Sequence, residues 1–327
     1  VSTRPALVAT LIAAVLAGSA GLAGDSVWGS FTKTAPNPGN AITAATDFRA
    51  PTASASVIGK TAGGVVGQIK KSGTYYVYAN ASDTGNPASG VSTVTANVSS
   101  ITSGSTAVAL SAGSFSAGGV SYGYRSASLT AGSTLAAGSY SYSLTLKDVA
   151  GNSKTQTGFT VTVDNTAPTG TDVQTVNAGA TNGLAEAGDK ITFTFSKAID
   201  PNSILSGWNS GSTNVVVRLN NGASGANDTV TVFNATNATQ LPLGSVNLGG
   251  ADYTSANLTF GATSTASSMV MSGTTITITL GTPSAAATTA AATGTMTWTP
   301  SASATDAAGN ATSTTAVTES AAADKEF

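Results

Sequence analysis

The chain has 327 residues, more than one β-sandwich normally needs, so two domains with additional segments are expected. Only 9% of the residues are charged and the formal net charge is −2, which excludes a highly charged disordered chain and gives little steering toward nucleic acid. Cysteine and histidine are both absent, which excludes disulfide staples, thiol nucleophiles, the usual zinc ligands and an imidazole general base.

Arg4 precedes an apolar, small-residue run over residues 6–24 (ALVATLIAAVLAGSAGLAG). A basic residue, an apolar stretch and a small-residue tail make the pattern of a secretory signal peptide. A retained membrane anchor and a pilin-like assembly helix are the competing readings, since the run is just long enough to span a bilayer. Residues 1–24 are therefore read as a hydrophobic helical export segment and 25–47 as an extended segment. Contact with a membrane is expected only through this N-terminal part.

Strand patterns dominate after residue 70. Residues 139–147 (SYSYSLTLK) place Tyr140, Tyr142, Leu144 and Leu146 on one face and hydroxyl residues on the other. Residues 190–196 (KITFTFS) do the same with Ile191, Phe193 and Phe195, and 274–280 (TTITITL) with Ile276, Ile278 and Leu280. Period-two alternation with a threonine-rich outer face predicts antiparallel sheets with one solvated side. Further strands are predicted over 74–81, 91–99, 158–163, 214–219, 228–233 and 295–299, separated by Gly, Asn, Pro and Ser clusters. The alanine-rich run 285–292 has no apolar stripe and reads as a loop. Many short strands between turn clusters predict an all-β protein of two tandem Ig-like antiparallel β-sandwiches.

A weak internal repeat marks the joints. Asp47-Phe48-Arg49-Ala50-Pro51-Thr52 matches Asp164-Asn165-Thr166-Ala167-Pro168-Thr169 at Asp, Ala, Pro and Thr, and Asp148-Val149-Ala150-Gly151-Asn152 echoes Asp306-Ala307-Ala308-Gly309-Asn310. Proline breaks a sheet ladder and stiffens the joint, and D-x-A-G-N reads as a turn that needs Gly or Asn in a left-handed conformation. The domains are placed at residues 48–166 and 167–327.

At these residues the chain resembles the bacterial Ig-like repeats of large exported proteins, whose domains end in V-D-N-T-A-P with D-x-A-G-N one strand earlier. Residues 188–200 (GDKITFTFSKAID), Ser206-Gly207-Trp208 and Trp298-Thr299-Pro300 resemble the opening and later motifs of a larger variant of such a domain. Leu205 stands where some relatives carry Cys. Residues 28–48 are similar to the start of camelysin/TasA-type exported proteins, matching at Phe31, Thr34, Asn37, Gly39, Asn40 and Ala44. That resemblance implies export and raises fibre assembly through an N-terminal segment.

No G-x-S-x-G elbow follows a strand and no G-x-x-x-x-G-K-[ST] loop is present, so neither a serine hydrolase nor a nucleotide-binding site is expected. The acidic residues fall mainly at turns. Asp83, Asp148, Asn152, Asp164 and Asn165 are expected to gather near one end of the first domain, where their hard oxygens could take Ca²⁺. Hydrogen bonds from Asp and Asn to their own turns are the alternative. Tyr75, Tyr76, Tyr78, Tyr122, Tyr124, Tyr140 and Tyr142 could line a carbohydrate platform or pack across strands. The expected function is a non-catalytic extracellular structural or adhesive surface protein, with a polymerising filament subunit and a carbohydrate-binding accessory module as alternatives. Its expected partners are cell-surface components or copies of itself, with no cofactor other than a possible calcium ion.

Overall fold

Alternating apolar and hydroxyl residues become strand pairs throughout residues 47–327, which the computed structural model describes apart from Asn86 and Ala180. The expected export helix and nearly all of the segment resembling camelysin/TasA proteins lie outside the described residues. Among the described residues, helix is confined to one turn, α1 (Pro201–Ile204), and a 3-10 turn, Ala223–Gly225. The fold is all-β.

The first sheet contains β1 (Thr52–Lys60), β2 (Gln68–Ile69), β3 (Thr74–Ser82), β4 (Val91–Asn97), β5 (Val108–Ala117), β6 (Val120–Ser126), β7 (Leu129–Thr130), β8 (Gly138–Asp148) and β9 (Ser153–Val163). Its order is β1-β3-β6-β5-β4-β8-β9-β2, with β7 also paired to β3. The β2 strand runs parallel to β9 while the other pairs are antiparallel. The path nearly closes on itself, because Gly67 N donates to Ile58 O at 2.7 Å beside β1 and Gly67 O accepts from Thr162 N at 3.0 Å beside β9. The Gln156 side chain adds to this closure by donating to Ala53 O at 3.2 Å and accepting from Ala53 N. A side-chain amide thus satisfies backbone groups that an edge strand would otherwise expose.

The second sheet contains β10 (Gly170–Val176), β11 (Lys190–Phe195), β12 (Thr213–Asn220), β13 (Thr229–Asn234), β14 (Ser245–Asn247), β15 (Leu258–Phe260), β16 (Ser267–Ser272), β17 (Thr275–Thr279), β18 (Thr297–Thr299) and β19 (Val317–Thr318). Its order is β10-β11-β17-β16-β12-β13-β14-β18-β19, with β15 also paired to β12. The two sheets share no strand, and residues 164–169 connect them.

Each sheet encloses its own apolar core. In the first, Tyr142, Leu144 and Leu146 of β8 point inward, and Tyr140 is half-buried at the rim, donating to Ala136 O at 3.1 Å. In the second, Ile191, Phe193, Phe195, Ile276, Ile278 and Leu280 are all buried. Trp298 is the centre of that core. It is fully buried, its indole N–H donates to Leu243 O at 2.6 Å, and the rings of Phe193 and Phe195 meet it edge-on at 5.2 and 5.0 Å. Edge-to-face pairs of this kind add to the burial of the rings. Residues 285–292 form a loop, as their pattern predicts.

Truncating Phe193 removes one ring from the Trp298 cluster with no disulfide to compensate. Phe193→Ala should cost about 3–5 kcal/mol, which denaturant unfolding of the full chain would read as a lower midpoint at unchanged slope.

Candidate functional site at the domain joints

The D-x-A-G-N sequence folds the same way twice. After β8, Gly151 turns the chain at φ 99°, and after the second sandwich's β18 Gly309 does so at φ 90°. Only glycine takes that conformation at little cost. The turn brings the Asn back to its own Asp. Asp148 accepts from Asn152 N and from Asn152 Nδ2, both at 2.7 Å, and Asp306 accepts from Asn310 N at 2.8 Å and Asn310 Nδ2 at 3.0 Å. The second amide hydrogen then reaches the incoming chain. Asn152 Nδ2 donates to Asp47 O at 3.1 Å, and Asn310 Nδ2 donates to Asp164 O at 2.9 Å. The two sequence repeats therefore meet in space, each D-x-A-G-N turn receiving the Asp of the A-P-T segment that precedes its domain.

The five residues expected to share one calcium site are divided by this geometry. Asp83, Asp148 and Asn152 come together, and the residue that joins them is Asp47. Asp164 and Asn165 do not join. The reason is topological, because β9 carries the chain 11 residues from the Asp148 turn, roughly 36 Å of extended strand, before Asp164 is reached. Asn165 instead accepts from Lys71 N at 2.8 Å and donates to Leu135 O at 2.9 Å.

One carboxylate oxygen from each of Asp47, Asp83 and Asp148 lies within 4.8 Å of the other two. Every oxygen of the three already accepts an N–H. Asp47 takes those of Arg49 and Ser89, both at 2.9 Å, Asp83 takes those of Gly85 at 3.3 Å and Gly90 at 2.7 Å, and Asp148 takes those of Asn152. The bonds from Arg49 and Ser89 hold the Asp47 carboxyl below the usual carboxylate range. The spacing would admit a hard cation, and the turn hydrogen bonds account for the group without one.

At the second joint a lysine stands among the carboxylates. Lys197 Nζ donates to Asp306 at 2.7 Å, to Thr166 O at 3.0 Å and to the Asp164 carboxylate, joining the interdomain segment to the second sandwich. Burial opposes ionisation of Asp164, but its bonds to Lys197 and to Thr166 N outweigh that and keep its pKa below 3.8, the ordinary value. Burial likewise disfavours the Lys197 charge, and the two aspartates more than restore it, raising its pKa.

A second ion pair crosses between the sandwiches. Lys60, at the end of β1, donates to Asp200 and to Ala307 O at 2.9 Å. Asp200 also caps α1 by accepting from Asn202 N at 3.1 Å, and takes Val65 N at 3.2 Å. Gly64, at φ 82°, lies so close that a Cβ would fall 2.1 Å from Asp200 Oδ2. Glycine is required there for both conformation and space.

Residues 68–165 match the family described as a bacterial Ig-like domain. No curated protein matches the chain. The match begins at the first residue of β2 and ends two residues after β9, so β1, paired along β3, lies outside it.

Within the matched segment Tyr75, Tyr78, Tyr122 and Tyr142 are buried, and Tyr76, Tyr124 and Tyr140 are half-buried, so these rings serve packing more than display. A concavity of about 790 Å³ lies between the Gly63–Gly64 and Gly118–Gly119 turns of the first sandwich and Trp208 of the second. Sequence reasoning missed Asp47, although the A-P-T repeat pairs it with Asp164. It also missed Lys60 with Asp200, which stand 140 residues apart with no sequence signal linking them.

Replacing Lys197 leaves Asp164 and the buried Asp306 without their shared donor. Because the ammonium is about a quarter exposed, Lys197→Met should cost about 1–3 kcal/mol rather than the full penalty of a buried charge. The lowered Asp164 pKa makes its share of this stability present above pH 3.8 and lost as pH falls through the folded value, while the raised Lys197 pKa preserves the pair into strongly alkaline solution. The difference in melting temperature between wild type and variant should stay constant from about pH 5 to pH 9 and shrink in acid.

Proposed function

We propose that the chain is a non-catalytic structural or adhesive protein of the bacterial surface, in which two Ig-like sandwiches act as one stiff unit. The observation that carries the reading is the joint, where Lys197, Asp164, Asp306 and Asn310 tie the connecting segment to the second sandwich while Lys60 and Asp200 pair across the boundary. Single salt bridges on a surface contribute little, but these are largely buried and share hydrogen-bond partners. A spacer or presenting module needs a fixed orientation between its domains, and such a network supplies it. The bacterial Ig-like match supports a surface or structural role. The absence of histidine and cysteine, together with the use of the joint carboxylates in turns and ion pairs, supports a non-catalytic one.

Assembly into fibres is the second reading, carried by the similarity of residues 28–48 to camelysin/TasA-type proteins. Carbohydrate binding has less support, since the tyrosines that would form a platform are largely packed inward.

Antibody against residues 47–327 should label intact bacteria that make the protein, and labelling confined to permeabilised cells would overturn a surface role. Small-angle scattering of the full chain should fit one fixed arrangement of the sandwiches, and Lys60→Ala combined with Lys197→Ala should broaden it. Negative-stain microscopy of the same samples separates fibres from two-lobed monomers.

A further inference from the structure

The last nine residues hold a group of side chains that neither the joints nor the cores use. After β19 the chain crosses the loops of the second sandwich. Glu319 N donates to Met296 O at 3.0 Å and its carboxylate accepts from Met296 N at 2.7 Å. Asp324 O accepts from Gly294 N at 2.8 Å, and Glu326 N donates to the Tyr253 hydroxyl at 2.9 Å. Phe327 then packs against Tyr253, with ring centroids 6.3 Å apart, and its carbonyl accepts from Gly183 N at 2.7 Å.

This path drives three carboxylates together. One oxygen from each of Glu319, Asp324 and Glu326 lies within 4.8 Å of the other two. Glu326 is only 1% exposed. One of its oxygens accepts from Thr175 Oγ1 at 2.6 Å, and the other, Oε1, is buried with no hydrogen-bond partner among the described residues. No ion pair among the described residues involves any of the three. Asp172 brings a further negative charge nearby, where it accepts from Ser320 N and Oγ.

We propose that Glu319, Asp324 and Glu326 form a calcium-binding site that pins residues 319–327 to the second sandwich. The donors are hard oxygens, as calcium prefers, and bonds of about 2.3–2.6 Å to one ion place ligand oxygens at most about 5 Å apart. The spacing of the three carboxylates fits that limit. Asp324 is exposed, so the ion has a route from solvent and water can complete its coordination. The orphaned Glu326 oxygen distinguishes this group from the Asp47 group, where every oxygen has an N–H, and from the Lys197 joint, where an ammonium supplies the positive charge. Burial, with the Glu319 and Asp324 charges adding to it, pushes the Glu326 carboxyl up to about 7 despite the Thr175 bond, so a proton competes for the same oxygen.

The competing account is a proton held on Glu326 with no ion bound. Terbium takes calcium sites, and Tyr253, bonded to Glu326 N, stands close enough to sensitise its emission. Titrated with terbium near pH 7.5, the full chain should show tyrosine-sensitised emission that calcium displaces. Glu326→Gln and Asp324→Asn should each cut it at least tenfold, while Asp83→Asn, at the other acidic group, should leave this component in place. No emission from the wild type, or equal emission from folded Asp324→Asn, would overturn the site. Should Glu326→Gln fail to fold, the exposed Asp324→Asn variant carries the test alone.

Discussion

The amide of Asn310 is the constraint on which the arrangement of the two sandwiches depends. Its Nδ2 bonds both the Asp306 carboxylate and the Asp164 carbonyl, so one side chain fixes the turn and receives the connecting segment. With Asp306 held in that position, its carboxylate can meet Lys197, and Lys197 can reach Asp164. The backbone reinforces the contact, since Ser313 N donates to Pro168 O at 2.9 Å. Pro168 restricts its own φ and biases Ala167 toward extended conformations, so the connection is short and stiff before any ion pair forms.

The ion pairs act more on orientation than on net stability. Lys60 and Asp200 are both buried, and removing two charges from water costs much of what their attraction returns. Their geometry is specific, however. Asp200 can accept from Lys60, Val65 N and Asn202 N only when the glycine turn of the first sandwich rests against α1 of the second. A different angle between the domains would leave a buried aspartate short of donors, and such an unpaired charge is far more costly than the pair is favourable. The buried pair thus penalises other arrangements, which is what a presenting or spacing module requires.

The all-β class and most central strands were legible in the sequence because alternation is strict where one face is buried, as in residues 139–147, 190–196 and 274–280. The sequence did not mark β1, β5, β6, β10 or β16, nor the two- and three-residue strands β2, β7, β14, β15 and β19. The β1 strand (TASASVIGK) is built mostly of small residues, β5 (VALSAGSFSA) is largely exposed, and β6 (VSYGYRS) mixes exposed, half-buried and buried positions, so no apolar face shows. The turn chemistry of D-x-A-G-N was also legible, since it is local. Its partner was not. The expectation that the Asp148 turn neighbours Asp164 fails because the chain leaves that turn along a full strand, and each such turn meets the segment entering its domain rather than the one leaving it. The interdomain pairs follow only from the folded arrangement, because nothing local in Lys60 or Asp200 refers to the other.

Three acidic groups along the chain face the same electrostatic problem with different means. Around Asp47 the charge is spread over backbone N–H groups of turns, each carrying a partial positive charge, and no mobile ion is needed. At the second joint the turn donors remain, and Lys197 adds a full charge that also binds one segment to another. At residues 319–327 the donors are fewer, with Thr175 and Met296 N serving Glu326 and Glu319 and, among the described residues, nothing serving Glu326 Oε1. A buried carboxylate with one oxygen left without a donor favours uptake of a proton or a metal ion. Protonation would satisfy Glu326 alone, whereas a hard cation would compensate all three carboxylates and hold the loops they come from. A single proton on Glu326 would leave the Glu319 and Asp324 charges uncompensated within 4.8 Å of each other, whereas one hard cation would balance all three.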